Sequence, residues 1–396
     1  MIRYQFLIVG GGMTADAAVE GIRERDPGGT IGLIADETDP PYNRPALSKG
    51  LWKGEPVEKI WRGTGDRGAT LHLGRRALTL DPGAHSVTDD HGETYGYQKL
   101  LLATGGTVRR LPFGGDDIIY YRTLRDYHRL RQAADRPGRF VVIGGGFIGS
   151  EVAAALRLAG RDVVMIVPER GIGARVYPTD LSEYLVGYYR EKGVEVLTGE
   201  GVAGVERRAG RLSVRTRAGR EIQAEAVVAG IGIAPAVALA TQAGIAVEDG
   251  IVVDETLRTS QPDVYAAGDV ASFQSPALAR RVRVEHEDNA LTMGRLAGRN
   301  LTGRAEPYHH LPFFYSDLFE LGYEAVGDLD ARHQTVADWK EPFREGAVYY
   351  LKDGRVRGVL LWNTWGQVDA ARALIARPGP LTPDDLKGLI PGASAT

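Results

Sequence analysis

The stretch YQFLIVGGGMTADA, from Tyr4 to Ala17, decides the fold. A short apolar run rich in β-forming residues passes through three glycines into a helix predicted over 15–25. In a dinucleotide-binding unit Gly10 permits the tight turn, Gly12 lets the backbone approach a pyrophosphate, and Ala15 allows close packing of helix and strand. The phosphate then meets the N–H groups of the helix N-terminus. One such motif alone is weak evidence, because small-residue turns also serve packing.

A second copy, FVVIGGGFIGSE, spans 140–151 and leads into a helix predicted over 151–158. Its glycines are Gly144, Gly146 and Gly149. Each copy has an acid at the end of the next strand, Asp36 or Glu169, about 20 residues or slightly more after the turn, where a ribose hydroxyl is bound. The two copies lie too far apart for a solenoid repeat, so the sequence predicts two successive dinucleotide sites.

The composition excludes several classes of protein. The chain has 396 residues, which suggests two or three domains, and 43% of them are hydrophobic and 25% charged. A net charge of −3 gives no case for nucleic acid or a membrane surface as the main partner.

The chain contains no cysteine, which excludes disulfides, thiolate metal sites and thiol redox centres. We predict no metal site. No segment approaches 18 continuous apolar residues, and the first strand starts so early that no signal peptide is expected. These observations together predict a cytoplasmic protein.

Further elements follow from periodicity and turn signals. The predicted strands are 71–80, 93–102, several within 194–228, and a hairpin of 347–351 and 356–362. The predicted helices are a short one at 45–51, an arginine-rich one within 121–137, and 184–193, 289–300 and 368–376.

Several motifs carry a family resemblance: both glycine turns, PYNRPALSK, LLLATGG and VYAAGDVA. Together they resemble the FAD- and NAD(P)H-dependent pyridine nucleotide oxidoreductase family. Within it the chain looks most like apoptosis-inducing factor and, a step further off, the NADH-dependent ferredoxin and rubredoxin reductases. The paired cysteines of the disulfide reductases are absent.

The resemblance implies an α/β, glutathione-reductase-type fold, with two Rossmann-like dinucleotide-binding domains and a C-terminal α+β domain. The implied domains are an FAD-binding domain (1–112 and 237–306), an NAD(H)-binding domain (113–236) and an interface domain (307–396).

The resemblance also implies which residues contact FAD and NAD(H). The catalytic pair would be Lys49, reaching flavin N5, and Glu151, first residue of the second helix, holding the nicotinamide carboxamide. The FAD-binding set would be Gly10, Gly12, Met13, Thr14, Ala15, Asp36, Glu37, Arg44, Lys49, Ala77, Ala103, Thr104, Gly105, Arg122, Gly268, Asp269, Glu285, His286, Glu287 and Tyr315. The NAD(H)-binding set would be Gly144, Gly146, Phe147, Ile148, Gly149, Glu151, Glu169, Arg175 and Gly232.

Other interpretations stay open for some of these residues. Arg44 and Lys49 could be solvated loop cations, Asp269 a structural helix cap, and Tyr315 a core aromatic. The segment 285–290 resembles the Glu-His-His-Asp-His-Ala pattern of apoptosis-inducing factor, but Glu287 and Asn289 replace two histidines. Histidine chemistry specific to that group is therefore not carried over.

The predicted function is hydride transfer from NADH to FAD, followed by electron transfer to an external acceptor: a ferredoxin, rubredoxin, quinone or oxygen. Glu169 would repel a 2′-phosphate, which favours NADH over NADPH, although Arg170 and Arg175 oppose this. The alternative is a flavoprotein like apoptosis-inducing factor, whose NADH-reduced charge-transfer complex controls dimerisation or partner binding. A homodimer and a basic rim for an acidic partner, with Arg280, Arg281 and Arg283 as candidates, are left open.

Overall fold

The computed structural model describes residues 1–208 and 210–390. These residues form two compact units, each built from three segments. The first unit comprises 1–45, 56–107 and 233–312, and the second comprises 46–55, 108–232 and the chain from Phe313 onward. The domain division predicted from the sequence stays a prediction.

The strands alternate with helices in the first part of each unit. In chain order the strands are β1 Ile2–Val9, β2 Ile31–Ala35, β3 Ala69–Leu73, β4 Ala77–Asp81, β5 Ser86–Asp89, β6 Thr94–Leu102, β7 Gly106–Val108, β8 Ile118–Tyr120, β9 Arg139–Ile143, β10 Asp162–Val167, β11 Val194–Thr198, β12 Val202–Arg208, β13 Arg211–Thr216, β14 Glu221–Ala224, β15 Ala226–Ala229, β16 Ile233–Pro235, β17 Val247–Glu248, β18 Gly250–Val252, β19 Val264–Ala266, β20 Ala271–Ser275, β21 Arg280–Val282, β22 Phe313–Leu318, β23 Leu321–Gly327, β24 Gln334–Glu341, β25 Glu345–Lys352 and β26 Arg355–Trp362. The α-helices are α1 Met13–Arg23, α2 Leu124–Ala134, α3 Phe147–Leu158, α4 Thr179–Glu191, α5 Ala238–Gln242, α6 Glu287–Leu301, α7 Val368–Ala376 and α8 Pro383–Leu386.

The first unit is built on a seven-stranded sheet. Its order is β3-β2-β1-β6-β5-β4, and β19 also pairs with β6. The strands β3, β2, β1, β6 and β19 are parallel, whereas β5 and β4 are antiparallel additions. Parallel strands covered on both faces need nearly continuous apolar sequence, which the buried run Phe6–Val9 supplies. Helices α1 and α6 pack against each other in this unit.

One predicted strand of the first unit is wrong. The run 71–80 is divided between β3, which pairs with β2, and β4, which pairs with β5. Gly74 adopts a φ of +64° between them, and its N–H bonds Glu37 O. The left-handed turn ends the first strand, a change of direction that the apolar pattern did not show. Strand β5 was not predicted, whereas β6 confirms the predicted strand 93–102 to within a residue.

The second unit contains a parallel sheet in the order β11-β10-β9-β15-β8 and a three-stranded antiparallel sheet, β12-β13-β14. Gly210 and Gly219 each lie in the turn between two of these antiparallel strands, with φ of +83° and +85°. From Phe313 the chain forms an antiparallel sheet in the order β22-β23-β26-β25-β24, against which α7 packs. The predicted hairpin of 347–351 and 356–362 is confirmed in β25 and β26.

Most of the predicted helices are present, but several start earlier than predicted. Helix α3 begins at Phe147, after Gly146 in extended backbone, and α4 begins at Thr179, after Pro178. The predicted helix 45–51 is instead two short 3-10 helices, Arg44–Leu47 and Gly50–Lys53. Among the helices in the described ranges, none is long and apolar enough to cross a membrane.

Candidate functional site

The first glycine turn fits the close backbone approach expected of a dinucleotide site. Gly10 has a φ of +134°, and a Cβ at this position would lie 2.1 Å from the carbonyl oxygen of Ala103. Gly12 caps helix α1 in extended backbone, and a Cβ there would meet nothing within 4 Å. The turn therefore leaves space at the helix start, where the first N–H groups, including those of Met13 and Thr14, have no intrahelical acceptor. Ala15 is fully buried, as close packing of helix and strand requires.

The other predicted residues of the first unit gather at the same sheet edge. Strands β1, β2, β6 and β19 run parallel, so the residues after their carboxyl ends lie along one edge. The residues placed there are Gly10, Asp36, Ala103, Thr104, Gly105, Gly268 and Asp269. Gly268 approaches helix α1 closely, since a Cβ on it would lie 2.2 Å from Thr14 Oγ1. Ala77 begins β4, where its register partner is Asp89.

The predicted ribose acid Asp36 and its neighbour Glu37, also in the predicted FAD-binding set, differ in their surroundings. The Asp36 side chain is 62% exposed and lies 3.7 Å from Arg76. Glu37 instead accepts hydrogen bonds from Tyr42 Oη at 2.8 Å and from Arg44 Nη2 at 2.7 Å. Burial opposes the charge of Arg44, but its neighbours Tyr42 and Glu37 raise its pKa above the ordinary value. Arg44 is thus a permanent cation fixed by Glu37 rather than a loosely solvated one.

Helix α6 begins with an acidic first turn. Glu287 and Asp288 are its first two residues and His286 is its N-cap, whereas the sequence pattern placed all three before the helix. Burial lowers the pKa of His286 to about 4, although the charges of Asp269 and Asp288 act in the opposite direction. His286 is therefore neutral at pH 7. Glu285 pairs with Arg283.

The suggested basic rim is wrong for two of its three arginines. Arg283 is 10% exposed and pairs with Asp249 and Glu285. Arg281 donates from Nη1 to the carbonyl oxygens of Val253 and Ser272. Both are structural cations, and only Arg280 is exposed.

The second glycine turn repeats the geometry of the first. Gly144 has a φ of +105°. A Cβ on Gly149 would lie 2.1 Å from the carbonyl oxygen of Gly144. Gly146 caps helix α3 in extended backbone, and Phe147 and Ile148 form the start of the helix. Strand β15 pairs parallel with β9, so Gly232 follows a neighbouring carboxyl end. The close backbone approach at these glycines therefore fits a second dinucleotide site, as at the first turn.

The acid of the second site is held by an arginine. Glu169 Oε1 lies 3.0 Å from Arg175 Nε and 2.7 Å from Arg175 Nη2. Arg175 is 86% exposed, whereas Glu169 is 29% exposed. A solvent-facing cation thus orients this carboxylate after β10.

The predicted catalytic pair is joined in the second unit. Glu151 is 5% exposed and pairs with Lys49 Nζ, and it also accepts hydrogen bonds from Ser48 Oγ at 2.6 Å and Ser316 Oγ at 2.5 Å. We call these four residues the Glu151 cluster. Lys49 Nζ lies 5.2 Å from the ring centroid of Tyr315, within cation–π range.

The Glu151 cluster corrects one prediction and adds two residues. Glu151 is the fifth residue of helix α3, not the first, because the helix begins at Phe147. Ser48 and Ser316 were not predicted, although Ser48 lies inside the quoted motif PYNRPALSK. A serine has too many common roles for either to be chosen without the fold.

Buried tyrosines surround the same carboxylate. The pKa of Tyr189 is raised well above its ordinary value, mainly because the residue is buried. The neighbouring Tyr177 and the charge of Glu151 raise it further. Burial raises the pKa of Tyr177 in the same way. These tyrosine hydroxyls therefore stay protonated at physiological pH.

Arg122 lies in the second unit, just before helix α2. Its backbone N–H donates to Asp126 Oδ2 at 3.1 Å, beside the capping box that Thr123 and Asp126 form. The predicted roles of Arg122 and of the other residues remain predictions.

Two glycine turns with their acids, on two parallel sheets, define a flavin- and pyridine-nucleotide-dependent oxidoreductase. Residues 4–294 match the family described as pyridine nucleotide-disulphide oxidoreductase, and residues 297–343 and 337–377 match the C-terminal region of apoptosis-inducing factor. The chain belongs to the pyridine nucleotide-disulphide oxidoreductase family, and it is an FAD-dependent NAD(P)H oxidoreductase without cysteine.

Its relatives include both predicted groups. The chain is 35% identical to the 5,5'-dehydrodivanillate O-demethylase ferredoxin reductase subunit of Sphingobium sp., over 95% of this chain and 94% of that one. It is 32% identical to apoptosis-inducing factor 1 of Dictyostelium discoideum, over 95% and 79%. Among solved structures, putidaredoxin reductase in its covalent complex with putidaredoxin has a TM-score of 0.90 at 30% identity, with 97% and 95% coverage. These comparisons confirm the predicted fold class and cofactors.

Proposed function

We propose that this oxidoreductase takes electrons from NADH and delivers them to a ferredoxin-type iron–sulfur protein. The Glu151 cluster is the observation that carries the proposal: a buried carboxylate with three donors, on a helix that starts at a nucleotide turn. The names of two relatives, a ferredoxin reductase subunit and a putidaredoxin reductase, support the acceptor class.

The two cofactors would be held by separate sets of residues. The edge formed by Gly10, Ala103 and Gly268 would hold FAD, with Asp36 at the ribose. The turn from Gly144 to Gly149 would hold the NADH pyrophosphate on the N-terminus of helix α3. When bound, FAD accepts two electrons from NADH as hydride and releases them singly, which a one-electron acceptor requires.

Residues of the Glu151 cluster would position the reactants. A carboxylate that is fixed by Ser48, Lys49 and Ser316 has little freedom to rotate, so Glu151 would hold the nicotinamide carboxamide in a constant orientation. Lys49 is proposed to contact the flavin. Orientation of this kind supplies much of the acceleration in a hydride transfer, because the reacting atoms must approach to about 3–3.5 Å.

The NADH preference rests on Glu169. A ribose 2′-hydroxyl can donate to this carboxylate, whereas a 2′-phosphate would meet its negative charge. Arg175 is already paired with Glu169, which limits its use as a phosphate ligand.

The similarity to apoptosis-inducing factor over residues 297–377 supports a second candidate. In it the NADH-reduced protein would itself be the signal, through a homodimer or another partner, and electron transfer would be incidental.

An anaerobic titration with NADH, followed by addition of oxidised ferredoxin, separates the two candidates. For a reductase we expect rapid bleaching of the flavin and recovery of its absorbance within seconds of adding ferredoxin. A reduced state that persists with ferredoxin and in air, accompanied by a change in oligomeric mass, would support the second candidate. Failure of NADH to bleach the flavin would contradict both.

A further inference from the structure

The second unit contains a cleft whose inner end is formed by Ser48, Lys49 and Glu151, and the proposed function does not use the rest of its lining. It has a volume of about 440 Å³, which lies in the range of small-molecule sites. One wall is formed by Ala154, Ala155 and Leu158 of helix α3 and by its C-cap, Ala159, which together we call the α3 stripe. Glu151, the inner end of this stripe, is the one residue that the cleft shares with the predicted NAD(H) set; the glycine turn, Glu169 and Gly232 do not line it.

Trp52 also lines the cleft and presents an aromatic ring of fixed orientation. Trp52 donates from Nε1 to Tyr121 Oη at 3.1 Å, and its ring meets that of Tyr127 edge-on at 5.8 Å. Two neighbours therefore set the orientation of the indole. A cleft that is lined by an apolar stripe and an aromatic ring favours a flat, apolar ligand.

Cations line the cleft beside these apolar walls. The Arg131 guanidinium lies 5.4 Å from the Trp52 ring centroid, is 45% exposed, and has Asp135 at 3.9 Å. Arg161 donates to the carbonyl oxygens of Ala159 and Arg136, and Lys53, whose side chain is 63% exposed, lies 3.5 Å from Asp317, an acid that also lines the cleft. A guanidinium that rests on an aromatic ring and is only weakly engaged by a carboxylate is suited to binding an organic anion.

We propose that this cleft binds a flat aromatic carboxylate, with its ring between Trp52 and the α3 stripe and its carboxylate at Arg131. The proposal does not depend on the identity of the electron acceptor. Because Ser48, Lys49 and Glu151 form the inner end, a bound ligand lies against the Glu151 cluster and would change the rate at which NADH reduces the flavin.

The test is calorimetric titration of the FAD-loaded protein with 2-naphthoate, with and without saturating NAD⁺. We expect one site, whose affinity Arg131→Gln weakens about tenfold, the loss of one charged hydrogen bond. Ala159→Trp, at the half-exposed end of the stripe, should block the site. Arg125→Gln, on the same helix but outside the cleft, is the matched control and should leave the affinity unchanged.

A neutral isostere distinguishes the contribution of the aromatic ring to binding from that of the carboxylate charge. Naphthalene-2-carboxamide should bind more weakly than 2-naphthoate and should be insensitive to Arg131→Gln. Absence of binding, equal affinity in the wild type and in Ala159→Trp, or stoichiometric displacement by NAD⁺ would overturn the proposal. Displacement by NAD⁺ would mean that the cleft belongs to the nucleotide site.

Discussion

Ser316 Oγ, on strand β22, donates a hydrogen bond of 2.5 Å to the carboxylate of Glu151 on helix α3. The bond joins the C-terminal sheet to the helix that starts at the second glycine turn. The orientation of Glu151 thus depends on a residue that is 165 positions away in the sequence.

Loss of this hydrogen bond should slow the reduction of the flavin. For Ser316→Ala we expect stopped-flow reduction by NADH to be about tenfold slower, because one hydrogen bond to a charged group contributes about 1.5 kcal/mol. Ser213→Ala is the matched control, since Ser213 also donates to a carboxylate at 2.5 Å, that of Glu221 in the β12-β13-β14 sheet. Equal rates in the Ser316 variant and the wild type would show that Glu151 needs no support from this serine.

Replacement of Glu169 should reverse the choice of nucleotide. In Glu169→Ala the repulsion of a 2′-phosphate is removed and Arg175 is released to pair with it. We expect kcat/KM for NADPH to rise and that for NADH to fall, each about tenfold, which corresponds to about 1.4 kcal/mol. Arg175→Ala keeps the carboxylate, so NADPH should not improve in that variant. An unchanged ratio in Glu169→Ala would remove this residue from the nucleotide site.

Helices α1 and α6 should not tolerate a side chain at Gly298. A Cβ there would lie 2.1 Å from the carbonyl oxygen of Ala18, a backbone atom that cannot move alone. For Gly298→Ala we expect the free energy of unfolding to fall by about 1–3 kcal/mol in urea denaturation, with weaker retention of FAD.

The control for that substitution is Gly187→Ala on helix α4. A Cβ at Gly187 would meet nothing within 4 Å, so only the helix propensity changes, and we expect a gain of about 1 kcal/mol. A gain in both variants would show that α1 and α6 can separate without cost.

The neutral state of His286 should make stability depend on pH. Its pKa of about 4 in the folded protein lies below the unfolded value of about 6.5, so the unfolded state binds more protons between these values. Stability is therefore lost as the pH falls from 6.5 towards 4. We expect this residue to account for roughly 2 kcal/mol of the difference in unfolding free energy between pH 7 and pH 5.

The measurement is urea denaturation of His286→Gln at both pH values. The substitution should shrink the pH-dependent difference, whatever its effect on stability at pH 7. His309→Gln replaces an exposed histidine of the same unit and should leave the difference as it is. An identical pH profile in His286→Gln and the wild type would contradict an imidazole that is neutral in the folded protein between pH 5 and pH 7.

The sequence by itself determined the two dinucleotide-binding turns, because each turn depends only on neighbouring residues in the chain. A turn such as that at Gly10 needs φ > 0 and a missing Cβ, and an apolar strand must precede it. The absence of cysteine likewise excluded thiol redox chemistry without reference to the fold. The hairpin at 352–354 was predictable for the same local reason.

Only the tertiary structure decided which side chains meet. Ser48 and Ser316 reach Glu151 from distant segments, and no periodicity in the sequence records that contact. Arg281 and Arg283 looked like a basic rim, yet backbone carbonyls and acids hold them, because burial depends on the packing of the whole unit. The prediction of one strand over 71–80 was wrong because the pairing of β3 with β2 ends before Gly74 and β4 pairs with β5. The choice of strand partner is a long-range property that the local pattern does not contain.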